Sequence, residues 1–86
     1  MSAAMPYRIL VVDDEMRLRQ VCRRVLAPEG FEVLEAADGR EGLAAIAAHR
    51  PDLVLVDLMM PVMGGMELLA AARERFPDLA FVVITG

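Results

Sequence analysis

The sequence predicts a doubly wound α/β domain, with a parallel sheet of four strands in the order 2-1-3-4. Three observations carry that expectation. Short, continuous apolar runs at Ile9–Val12, Leu53–Val56 and Leu79–Ile84 read as strands buried on both faces. Segments of helical period separate the strands, giving the order β-α-β-α-β-α-β. The remaining strand-like run, Phe31–Ala36, is more polar and partly alternating, which places it at a sheet edge.

The first strand, Ile9–Val12, ends abruptly in Asp13, Asp14 and Glu15. Leu18, Val21, Cys22, Val25 and Leu26 then fall at i, i+3, i+4, i+7 and i+8, an apolar helical stripe stopped by Pro28 and Gly30. Arg17, Arg19, Arg23 and Arg24 lie between them and read as the wet face of that helix. Cys22, on the stripe, reads as a small buried hydrophobe rather than a reactive thiol. Glu15, at the helix start, suits the helix dipole better than a metal-ligand role.

After the second strand, Asp38-Gly39-Arg40-Glu41 has the form of a capping box, opening an Ala-rich helix through Leu43, Ile46 and Ala47 that ends by Pro51. His49, in its last turn, suits the helix dipole. The third strand, Leu53–Val56, ends on Asp57. A turn-rich loop from Met59 to Gly65 follows, in which Pro61 and Gly65 shape the backbone. Leu68, Leu69, Ala72 and Phe76 form the third helical stripe, closed by Pro77 and Asp78, and Leu79–Ile84 is the fourth strand, followed by Thr85 and Gly86. Met59, Met60, Met63 and Met66 read as flexible gap-fillers beside the loop.

The 86 residues make one small domain, with an N-terminal tail over 1–6 and a folded unit over 7–86. Nine basic against 13 acidic residues give a net charge of −4, which argues against a nucleic-acid surface, where clustered Lys and Arg are needed. One cysteine excludes an intramolecular disulfide framework and suits a reducing compartment. The segment Met1–Pro6 has neither the charge nor the apolar run of a signal peptide, and no stretch nears the roughly 20 apolar residues of a membrane span. The expected location is the cytoplasm.

Right-handed crossovers put the first helix on one face of the sheet and the second and third on the other. Winding reverses between the first and third strands, opening a crevice at their carboxyl ends where such sheets bind ligands. Asp13, Asp14 and Asp57 meet there, on strands about 4.8 Å apart. Like charges so close need raised pKa values, basic partners or a hard cation, and a set of oxygens best suits Mg²⁺. Mg²⁺ with few protein ligands would leave positions open for phosphoryl oxygens. Asp57, pointing in from a central strand, is the natural nucleophile, because carboxylates form acyl phosphates, and the Thr85 hydroxyl suits a phosphoryl oxygen.

The runs Ile9–Glu15, Leu53–Gly65 and Val82–Gly86, in this order and at these separations, resemble the receiver (CheY-like) domain of two-component response regulators, a flavodoxin-like fold. The resemblance covers essentially the whole chain. It implies that Asp57 is the phosphoacceptor, taking its phosphoryl group from the phosphohistidine of a sensor histidine kinase. It implies that Asp14, Asp57 and the backbone carbonyl of Met59 ligate Mg²⁺, with Asp13 acting largely through water. Thr85 matches the hydroxyl that contacts the acyl phosphate and switches the far face. The residues Val83-Ile84-Thr85-Gly86 look most like the NtrC class of transcriptional regulators.

The same resemblance implies a further helix, a fifth strand bearing a lysine, and a last helix. The expectation is therefore a receiver incomplete at its C-terminus, and the sequence contains no lysine. Such a chain is a phosphoacceptor rather than a turnover enzyme. The alternative within the family is an inert fragment or pseudo-receiver acting only in protein contacts. Outside it stands a haloacid dehalogenase-type phosphohydrolase, which wants a second Asp where this chain has Met59. The apolar fourth strand, left at an edge, is expected to drive self-association.

Overall fold

The computed structural model describes residues 6–60 and 63–84. The expected tail up to Met5, Pro61 in the loop, and Thr85 lie outside the described residues. Four strands, β1 (Arg8–Val12), β2 (Glu32–Ala36), β3 (Leu53–Asp57) and β4 (Ala80–Ile84), alternate with three helices, α1 (Met16–Leu26), α2 (Gly39–His49) and α3 (Gly65–Arg75). All strand pairs are parallel and the order is β2-β1-β3-β4, as expected. However, β4, whose apolar run reads as buried on both faces, stands at the sheet edge with no buried residue, because nothing among the described residues pairs with its outer side.

The period-two pleat divides the core into two layers. Leu10, Val12, Val54 and Val56 pack with Ile46 of α2 and with Leu68 and Ala72 of α3. Ile9 and Val11 turn the other way and pack with Val33, Cys22 and Leu26. Along β2, Glu32 and Glu35 are exposed while Val33 and Ala36 are buried in the two different layers, so each face of this edge strand is only partly covered.

Local chemistry sets the helix ends. The Asp38 carboxylate caps α2 by accepting from the Glu41 N–H at 2.9 Å. The Glu41 carboxylate reaches back to the N–H of Ala37, at 2.9 Å, one residue earlier than a standard capping box. Glu67 likewise reaches back to the Gly64 N–H at the start of α3, at 3.2 Å. The chain leaves α1 through a short 3₁₀ turn, Ala27–Glu29, that closes on Gly30 at φ +95°.

The expected stripe of α1 is only half covered. No residue of α1 is buried; Leu18, Val21 and Val25 are exposed, and of the apolar stripe only Cys22 and Leu26 pack on the sheet. Burial suffices to push the Cys22 thiol up from its ordinary value. The helix lies over β1 and β2, and nothing among the described residues covers its far flank. The wet-face reading of the arginines needs a matching correction. The side chains of Arg19 and Arg23 bond Glu35 of β2 and hold α1 to the sheet edge. In α2, Ala47 is exposed rather than in the stripe, and Ile46 is buried with Gly39 and Gly42. Among the described residues no helix is long and apolar enough to cross a membrane.

Candidate functional site

The loops after β1 and β3 each place a carboxylate by the same local device. Asp13 Oδ1 accepts from the N–H of Glu15 at 2.8 Å, and Asp57 Oδ1 accepts from the N–H of Met59 at 2.9 Å. In both cases an aspartate accepts from the backbone two residues on, which turns the chain and fixes the carboxylate at the strand end. The Asp13 N–H also donates to the carbonyl of Ala36, tying the loop to β2.

Asp13, Asp14 and Asp57 come together as the topology predicts: one oxygen of each lies within 4.8 Å of the others. Asp13 and Asp57 are buried, at 1% and 7% exposure, while Asp14 is open to solvent. Burial pushes the Asp13 carboxyl above its ordinary range, and the charges of Asp57 and Asp14 push it further, against the opposing hydrogen bond from Glu15.

Asp13 Oδ2 is buried without a hydrogen-bond partner among the described residues. An acceptor so placed is costly unless something electropositive meets it. The donor set is all oxygen and holds no cysteine or histidine, which suits a hard divalent cation.

The loop beyond Asp57 is pinned to both neighbouring helices. Gly65, the first residue of α3, sits against the Asp57 carbonyl oxygen so closely that a Cβ would collide with it. The Gly39 N–H, at the start of α2, donates to the Met63 carbonyl at 3.1 Å, and Met63 takes a positive φ of 37°. Sequence reading gave Gly39 no role, because its neighbour is 24 positions away. The methionines divide: Met60 is buried and fills the core beneath the loop, whereas Met59 and Met66 are mostly exposed and fill nothing. Thr85 lies outside the described residues; its neighbour Ile84, in β4, pairs with Asp57.

A doubly wound parallel sheet with carboxylates converging where its winding reverses defines an acidic-pocket α/β domain of the kind that binds phosphoryl groups or cations at its strand ends. The family model for the response regulator receiver domain matches residues 9–86, and the chain belongs to that family. It is 47% identical over 82 residues to the response regulator MprA of Mycolicibacterium vanbaalenii, a match covering 95% of this chain and 36% of MprA.

Among solved structures, a CheY-like receiver domain protein from Methanospirillum hungatei superposes with a TM-score of 0.91 at 38% identity, over 95% of this chain and 66% of that one. The response regulator TrrA from Thermotoga maritima, determined in complex with Mg²⁺-BeF, superposes with a TM-score of 0.86 at 36% identity, over 94% and 70%. The chain thus spans about a third of the length of the curated relatives it matches. Receiver domains of this family belong to two-component systems, in which sensor histidine kinases phosphorylate response regulators.

Proposed function

We propose that this chain is a phosphoacceptor receiver, taking a phosphoryl group from a histidine kinase's phosphohistidine onto Asp57 to control an output domain of a transcriptional regulator. The observation that carries the reading is the buried Asp57 carboxylate within 4.8 Å of two further carboxylates, one of them bearing an orphaned oxygen. The Met59 N–H holds Asp57 Oδ1 and leaves Oδ2 as the nucleophile. Attack by Oδ2 on phosphorus forms the acyl phosphate; the P–N bond breaks and its electron pair returns to the imidazole.

Asp13, Asp14, Asp57 and the backbone carbonyl of Met59 would hold Mg²⁺, with Asp13 acting largely through water. When bound, that ion neutralises the carboxylates and the charge of the transferred phosphoryl oxygens. TrrA, a relative of the same fold, was solved with Mg²⁺-BeF, which supports the assignment. The pairing of Ile84 with Asp57 supports Thr85 as the hydroxyl that meets the phosphoryl group. A phosphohydrolase of the haloacid dehalogenase type is disfavoured by the family match and by Met59 at the position its acid would take.

The test is labelling by acetyl phosphate with and without Mg²⁺, comparing the parent chain with Asp57→Asn. Mg²⁺-dependent label on the parent alone is expected. No label on the parent or on a form extended past Gly86 would replace this reading with a receiver that acts only in protein contacts.

A further inference from the structure

Arg19 is the one arginine of α1 whose side chain is largely withdrawn from solvent, at 15% exposure against 47% for Arg23. Its guanidinium makes two bonds to different elements. One N–H donates to the carbonyl oxygen of Asp13 at 2.7 Å, and Nε donates to Glu35 Oε1 at 3.1 Å. Glu35 is itself held by Arg23, whose Nε reaches Oε2 at 2.7 Å and whose other nitrogen reaches the Val33 carbonyl at 3.1 Å. The Glu35 carboxyl is held below its ordinary range, first by the bond from Arg23 and further by Arg19.

The peptide that begins at the Asp13 carbonyl joins Asp13 to Asp14, two of the three carboxylates of the acidic cluster. With the Asp13 N–H bonded to Ala36 and Oδ1 to Glu15, the bond from Arg19 fixes the last polar group of that residue's backbone. A planar fork can bond a carbonyl and a carboxylate at once in fixed directions, whereas a lysine offers a single flexible point charge. We infer that Arg19 is a positioning residue for the cation site: anchored by Glu35, it sets the Asp13–Asp14 peptide from which two of the carboxylates project. The inference rests on the acidic-pocket reading above and assigns it a support outside the pocket.

The test compares Arg19→Gln, Arg19→Lys and Arg23→Gln in the 86-residue chain, by calorimetric Mg²⁺ titration and by hydrogen exchange at the Asp13 and Glu15 amides. Arg19→Gln should weaken Mg²⁺ binding by about tenfold, the low end for groups that act on ligands from outside, and speed exchange at both amides. Arg23→Gln cuts a bond to the same Glu35 yet should leave Mg²⁺ affinity within about twofold, and Arg19→Lys should recover part of the loss.

Parent-like affinity and exchange in Arg19→Gln would overturn the role of Arg19 alone. An equal loss in Arg23→Gln would overturn it too, by showing a general loosening of α1. A parent chain that binds no Mg²⁺ would instead remove the pocket reading, and the role of Arg19 with it.

Discussion

Gly65 carries the first turn of α3 directly against the backbone of Asp57. A Cβ at Gly65 would strike the Asp57 carbonyl oxygen and come within 2.9 Å of the Leu58 Cα. Neither neighbour is a flexible side chain that can swing away. Gly65→Ala should therefore cost about 2 kcal/mol, as overpacking against fixed backbone does. Gly30 makes the contrast: it has open space around it but sits at φ +95°, so Gly30→Ala should cost only about 1 kcal/mol, from backbone conformation. Urea unfolding ranks the two, and equal midpoint losses would mean the Asp57 loop yields to the new methyl.

Met59 stands at the mouth of the pocket at 76% exposure, while its N–H holds Asp57 Oδ1. Its side chain is apolar and has no strong group with which to orient a water beside an acyl phosphate. Slow loss of label is therefore expected of the parent, and Met59→Asn should shorten the lifetime several-fold without disturbing the backbone bond. Chasing the labelled protein through time decides it; a Met59→Asn half-life no shorter than the parent's would count against this role.

Much of the fold was legible because strand burial writes itself into sequence. Ile9–Val12 and Leu53–Val56 are apolar at every position and lie in the middle of the sheet, whereas β2, with Glu32 and Glu35 exposed, lies at its edge. The acidic cluster followed from topology alone, since Asp13, Asp14 and Asp57 need only sit at the ends of adjacent parallel strands. What could not be read were contacts set by close approach across the fold. Arg19 looked like its neighbours Arg17 and Arg23, and only the rotation of α1 over β2 shows that it reaches the Asp13 carbonyl. Gly39 read only as part of a helix cap and Gly65 only as a loop glycine, because a missing Cβ records no partner; the backbones of Met63 and Asp57 supply it. The stripe of α1 overpromised for the converse reason: an apolar face states that cover is wanted, not that it is present.

That uncovered face predicts association. Val82 is 46% and Val83 41% exposed on β4, an edge strand among the described residues, and Val21 and Val25 are open on α1. Apolar edges with unpaired backbone groups recruit another copy. The 86-residue chain should show a weight-average mass that rises with concentration in sedimentation equilibrium, and Val82→Lys should lower it. A monomer at every concentration would rule this out.

Asp13→Asn should stabilise the chain in EDTA and destabilise it in excess Mg²⁺, relative to the parent. The folded-state pKa of Asp13 is raised above its ordinary 3.8, so between that value and the raised one the folded chain binds more protons than the unfolded. Stability from this group is complete at low pH and is lost as pH rises through the raised value. Above that raised value the ionised, half-unpartnered carboxylate is a liability that Asn removes while keeping the oxygen that accepts from Glu15, a gain of about 1 kcal/mol. Glu35 runs the opposite way: its pKa is lowered, so its contribution is present above its ordinary 4.5 and lost as pH falls through the lowered value. In EDTA the parent should therefore lose stability at both ends of a pH series, and Asp13→Asn should keep only the acid-side loss. Adding Mg²⁺ at 100 times its dissociation constant should stabilise the parent by about 2.7 kcal/mol and Asp13→Asn by much less, so the order of the two proteins reverses. Thermal melts across pH with EDTA or Mg²⁺ measure both effects, and an unchanged order would mean that Asp13 takes no part in holding the cation.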